Sequence, residues 1–193
     1  ALICKNFNNG YSRSDADMSL NDYFLNQNKV VIFDVDTRSL VKYIRDKGAM
    51  NAIISSEILD VEVLKERLSE VPSMEGLELS SSVCTKESYF VGDGNAEIKV
   101  AVLDLGVKRN ILKCLTDRGC YLKVFPMNTS YDEMKSWNPD GFFLSNGPGD
   151  PSAMPEVIGQ VKKITSDGKA VFGICLGHQA LALSEGISTY KMH

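Results

Sequence analysis

Two kinds of hydrophobic patterning divide this chain. From position 98 onward, short unbroken apolar runs alternate with segments of helical period. IKVAVLDLG (98–106) reads as a buried strand. A helix follows over 109–118, closed by Gly119. CYLKVFP (120–126) and GFFLS (141–145) read as further strands, 155–166 as a helix, AVFGI (170–174) as a strand and 176–185 as a helix. Continuous apolar strands alternating with amphipathic helices predict an α/β fold, a mostly parallel sheet covered by helices on both faces. In such sheets ligands sit beyond the carboxyl ends of the strands. Two loops fall there, SNGPGDP after GFFLS and the turn at Cys175 after AVFGI.

The first part of the chain is patterned less regularly and reads as part of a smaller α/β domain. KVVIFDV (29–35) is a buried-strand candidate. Asp36 or Thr37 caps the helix after it, with Leu40, Val41 and Ile44 on its apolar side and Gly48 as its stop. A second helix is expected over 60–71, with Val61, Leu64, Leu68 and Val71 on one stripe. The polar stretch LSSSVCTKESYFVGDGNAE carries no period and reads as a linker. The expected division is 1–96 for the amino-terminal domain with its linker and 97–193 for the second domain.

Composition narrows the function classes. A net charge of -4 gives no electrostatic reason to expect nucleic acid as a partner. No apolar run approaches the roughly 18 residues of a membrane span, and nothing at the start reads as a signal peptide, so a cytoplasmic protein without a membrane partner is expected. The 5 cysteines include no CxxC pair, which argues against a metal knuckle or disulfide framework. Cys4, Cys84, Cys114 and Cys120 are expected to be buried, reduced thiols. There are only 2 histidines, His178 and His193.

GICLG (173–177) is a nucleophile-elbow pattern with cysteine at its apex. A sharp strand-to-helix turn lifts the nucleophile above the sheet, and the positions two before and two after must be small. Gly173 and Gly177 meet that need. The helix then aims its free N–H groups and positive dipole end at the Cys175 sulfur, and the Leu176 N–H is placed to donate to an oxyanion. In SNGPGDP, Gly147 and Gly149 leave backbone N–H groups open to a ligand, while Pro148 and Pro151 stiffen the loop. His178 is a poor general base, because it follows Cys175 by three residues on the same helix. Asp34, Asp36 and Arg38 of DVDTR read as helix-start residues, and Asp104 carries no assigned role.

VFGICLGHQALAL and FLSNGPGDP together resemble the class I glutamine amidotransferases. LDLGVKRNILKCLTDRGC and NPDGFFLSNGPGDP resemble a strand-helix pair and the oxyanion strand of that fold. VVIFDVDTRSLVKYIRDKGAMNAII resembles the amino-terminal domain found in the carbamoyl-phosphate synthetase small-subunit family. The resemblance implies that Cys175 attacks the carboxamide of L-glutamine, forming a glutamyl thioester and releasing ammonia. It implies that Gly147 and Leu176 hold the oxyanion, and that Gly149 and Gln179 contact glutamine. The ammonia would pass to a large subunit that joins it to bicarbonate, yielding carbamoyl phosphate for arginine and pyrimidine synthesis. No cofactor or metal is implied for this subunit; ATP and Mg belong to the large partner. The family's catalytic His and Glu lie further along, so the chain reads as a fragment lacking both ends and weakly active alone. The alternatives are an amidotransferase serving another synthetase and a non-catalytic regulatory subunit.

Overall fold

The computed structural model describes residues 1–10, 13–48 and 50–190, so His193 lies outside the described residues. By contact the chain forms two compact units, Ala1–Ser73 and Met74–Tyr190.

In the first unit, β1 (Leu2–Ile3) pairs in parallel with β2 (Val31–Ile32). The helices are α1 (Leu20–Asn26), α2 (Thr37–Lys47) and α3 (Val61–Ser69). Each begins where a side chain takes up an orphan N–H. Ser19 accepts from Asp22, Asp36 from Ser39, and Asp60 from Glu62 and Val63. Gly48, at φ 83°, ends α2 as expected. The buried strand expected over 29–35 shrinks to two half-buried residues, and Phe33 is 61% exposed. The reason is its single short neighbour: two paired residues leave the rest of an apolar run without a surface to cover it.

The second unit carries a five-stranded sheet of β3 (Tyr89–Val91), β4 (Ile98–Asp104), β5 (Cys120–Pro126), β6 (Gly141–Leu144) and β7 (Ala170–Gly173). The order is β3-β5-β4-β6-β7, with β3 antiparallel and the others parallel. Its helices are α4 (Arg109–Thr116), α5 (Tyr131–Ser136), α6 (Pro155–Ser166) and α7 (Leu176–Ser184). One sheet face buries Leu103, Phe125 and Leu144 under α5, α6 and α7; the other buries Val102, Val124 and Phe143 beside Leu112 of α4. The expected parallel sheet with helices on both faces is present.

Three features depart from expectation. The stretch read as a linker supplies a 3-10 turn (Ser80–Ser82) and the edge strand β3, and it clusters by contact with the second unit. Its turns are held by side-chain bonds that leave no hydrophobic period to read. Helix α5 falls in a polar segment and is started by the Ser130 hydroxyl, which accepts from Glu133. Among the other four cysteines none is buried: Cys114 is exposed, and Cys4, Cys84 and Cys120 are half-buried. Cys114 lies two positions beyond Leu112, the buried residue of α4, which turns it to the opposite side of the helix.

Candidate active site

The sheet reverses direction between β4 and β6: the chain runs from β4 out to β5, then crosses back to β6 and β7. The switch point lies between β4 and β6, and their carboxyl ends are in register, Leu103 opposite Leu144, with Leu144 opposite Gly173. The turns after β4, β6 and β7 therefore meet at one edge.

Cys175 stands at that edge with φ 48° and ψ -111°, a strained left-handed backbone for a side-chain-bearing residue. Its sulfur is exposed, is not in a disulfide and does not cap α7. The elbow closes only because its glycines let backbone meet backbone. A Cβ on Gly177 would stand 2.3 Å from the Leu144 carbonyl oxygen, and one on Gly173 2.7 Å from the His178 nitrogen. The Gly177 N–H donates to the carbonyls of Ser145 and Ile174, pinning the elbow to the end of β6. Gln179 lies one helical turn past Cys175, is exposed, and donates its N–H to the Cys175 carbonyl at 3.0 Å. His178 is also exposed and makes no hydrogen bond to Cys175 among the described residues.

Gly147 lies directly beside the elbow. A Cβ there would fall 2.9 Å from Leu176 Cδ2 and 2.0 Å from the Leu105 carbonyl oxygen. Among the described residues the Gly147 N–H finds no backbone acceptor, and that of Leu176, the first residue of α7, has none within the helix. Thus Gly147, Cys175, Leu176 and Gln179 come together. Gly149 is placed differently. It takes φ 102° and bridges Glu78, with the backbone of Leu77 and Leu79 as its nearest neighbours.

Those neighbours belong to a strap that sequence reasoning passed over. The Asp150 N–H donates to the Leu77 carbonyl, the Asp150 carboxylate accepts from the Gly76 N–H at 2.9 Å, and the Ser80 hydroxyl donates to the Pro148 carbonyl at 3.1 Å. The Ser152 hydroxyl, then the Gly76 and Ser152 N–H groups, hold the Asp150 carboxyl below its ordinary value. Asp104 anchors the neighbouring turn. One carboxylate oxygen accepts from the N–H groups of Gly106 and Val107, the other from Thr85, so this buried charge is satisfied by backbone. A serine hydroxyl near a Gly-Pro loop or an acid ending a strand is the signal that could have marked both.

A groove of about 650 Å³, lined by Glu78, Met127, Met154, Gln160 and Lys163 among others, lies apart from Cys175. The strained Cys175 backbone and the open Gly147 and Leu176 N–H groups are at the elbow, and none of these residues lines that groove. Among the described residues, no three His, Cys, Asp or Glu side chains gather closely enough to hold a metal ion. No helix among them is long and apolar enough to cross a membrane.

This fold and edge define a class. Residues 101–193 match the family described as glutamine amidotransferase class-I, and residues 1–54 match the carbamoyl-phosphate synthase small chain, CPSase domain. The carbamoyl phosphate synthase small chain of Vibrio parahaemolyticus is 42% identical over 207 residues, covering 99% of this chain and 53% of that relative. Those of Synechocystis sp. and Clostridium acetobutylicum are 41% and 42% identical, covering 99% of this chain and 54% and 53% of the relative. The chain belongs to the carbamoyl-phosphate synthase small-chain family, and it spans about half the length of the curated relatives it matches.

Proposed function

We propose that this chain is part of the glutamine-hydrolysing subunit of a carbamoyl-phosphate synthase. The observation that carries the reading is the elbow: a strained, exposed Cys175 whose neighbour Leu176 touches Gly147. The Cys175 sulfur attacks the side-chain carbonyl carbon of L-glutamine. The N–H groups of Gly147 and Leu176 receive the oxyanion that forms. The C–N bond then breaks, nitrogen takes a proton and leaves as ammonia, and a glutamyl thioester remains for water to cleave to glutamate. Gly149 and Gln179 hold the glutamine. Ammonia goes to a large subunit, which uses ATP and Mg with bicarbonate to make carbamoyl phosphate for arginine and pyrimidine synthesis, in the cytoplasm. The residue ranges 1–96 and 97–193 serve as the amino-terminal and amidotransferase portions of this subunit.

No histidine among the described residues pairs with Cys175, so the reading assigns the general base to residues outside them. Without that base the described residues are poor catalysts, since losing one member of a nucleophile-base unit typically costs about 10⁴ or more in rate.

A diazo-ketone glutamine analogue tests the reading, with mass spectrometry of this chain and of the whole small chain. Labelling of Cys175 ahead of the other cysteines in the whole protein is the expected result. An unlabelled Cys175 there would leave a non-catalytic regulatory subunit as the better account.

A further inference from the structure

Ser145 follows β6 at the switch point and is completely buried, with every polar group engaged. Its N–H donates to the Leu103 carbonyl at 3.1 Å, and its carbonyl accepts from the Gly177 N–H at 3.1 Å. Its hydroxyl oxygen accepts from the Leu105 N–H at 2.8 Å and donates to the Asn146 carbonyl, also at 2.8 Å. One side chain thus joins the turn after β4 to the loop after β6, while its backbone holds the elbow after β7.

The last of these bonds has a geometric consequence. The Asn146 carbonyl and the Gly147 N–H are the two ends of one peptide unit. In a planar trans peptide they point in opposite directions, and the described residues contain no cis peptide. A hydroxyl that fixes the carbonyl therefore fixes the direction of the N–H, turning it away from Ser145. A glycine at 147 gives that peptide more rotational freedom than any other residue would, so an unfixed peptide could swing. The Asn146 side chain secures the loop elsewhere, donating to the Gly106 carbonyl at 3.0 Å and accepting from the Lys108 N–H at 3.2 Å. Neither of those bonds involves the peptide between residues 146 and 147.

We propose that Ser145 is a positioning residue: its hydroxyl holds the Asn146–Gly147 peptide so that the Gly147 N–H faces the Cys175 elbow as a preorganised oxyanion donor. The assignment rests on the glutamine-hydrolysing reading above. Preorganisation is what makes such a donor effective, since a donor that must reorient during the reaction gives up most of its benefit.

The test compares two reactions of the same sulfur in the whole protein. Thioester formation from glutamine passes through an oxyanion. Alkylation by iodoacetamide forms a C–S bond as iodide leaves a saturated carbon, and passes through none. In Ser145→Ala, acid-quenched thioester formation at Cys175 should slow by about 10²-fold, with the KM for glutamine and the alkylation rate nearly unchanged. Ser145→Thr and Ser145→Val are nearly the same shape and differ in the hydroxyl, so Thr should exceed Val by a similar ratio even if the alanine variant folds poorly. Thioester formation at the wild-type rate in Ser145→Ala, or equal rates for Thr and Val, would overturn the proposal. So would alkylation falling in step with thioester formation, which would mark general loss of structure. If the unaltered protein forms no thioester, the glutamine reading itself fails and this assignment with it.

Discussion

The two units use the same local rules and reach different degrees of burial. In the second, seven-residue strands β4 and β5 lie side by side, and each sheet face carries an apolar cluster with residues wholly out of water. In the first, the strands are two residues long, and none of the described residues is fully buried. Its local signals are nonetheless sound, since α1, α2 and α3 all begin at a capping side chain. A cap contributes about 1 kcal/mol, while burying a leucine contributes about 1.5–3 kcal/mol. Starting and stopping a helix is a local matter. Keeping its apolar side dry requires a neighbouring surface, and among the described residues the second unit supplies one broadly while the first does not.

The widest gap between the units should appear on deleting a leucine side chain. Leu103 lies mid-sheet at 1% exposure, whereas Leu25 on α1 is 68% exposed. Leu103→Ala should cost about 4 kcal/mol in urea unfolding, transfer and cavity terms together. Leu25→Ala should stay within about 0.5 kcal/mol. Equal costs would show that the first unit has a core of its own. Next in size is Gly177→Ala. Its new methyl would press on the Leu144 carbonyl, and the strain should destabilise the second unit by about 3 kcal/mol and slow labelling of Cys175 by the glutamine analogue. Unchanged stability would mean that the elbow yields.

The same contrast explains what could be read before the structure. The strands IKVAVLDLG, CYLKVFP and GFFLS were legible because burial on both faces demands unbroken apolar runs. The elbow was legible because Gly173 and Gly177 answer a steric need visible in five letters. KVVIFDV misled by the same logic: its apolar run is real, but its partner strand is only two residues long. The 76–85 strap and the role of Ser145 were not legible, because single hydrogen bonds between residues tens of positions apart leave no periodic trace. Gly149 is legible as an open backbone position, whereas its pairing with Glu78 depends on that strap.

A smaller effect should follow pH in the second unit. The Ser152 hydroxyl, with the Gly76 and Ser152 N–H groups, lowers the Asp150 carboxyl relative to an unfolded aspartate. A lowered carboxyl favours the folded strap only while ionised. Its contribution is complete above the unfolded value near 4 and fades as pH falls through the lower folded value. The Gly76 amide resonance should shift in acid over that range, and Asp150→Asn should flatten the shift. An amide that titrates identically in both proteins would remove Asp150 as the latch of the strap.

The smallest effect is the sharpest probe of the first unit. Asp36 accepts from the Ser39 N–H at 3.0 Å and from the Ser39 hydroxyl at 2.8 Å, and these bonds hold its carboxyl below the ordinary value. Asp36→Ala should raise the opening equilibrium of α2 about fivefold, the change that loss of a capping side chain typically brings. Because α2 buries no residue fully, little of that loss should pass to other elements. Amide exchange within α2 should quicken by that factor while the urea midpoint of the second unit stays fixed. A shift of that midpoint would mean that the two units unfold as one, and that burial and capping act within a single cooperative whole rather than in separate parts of the chain.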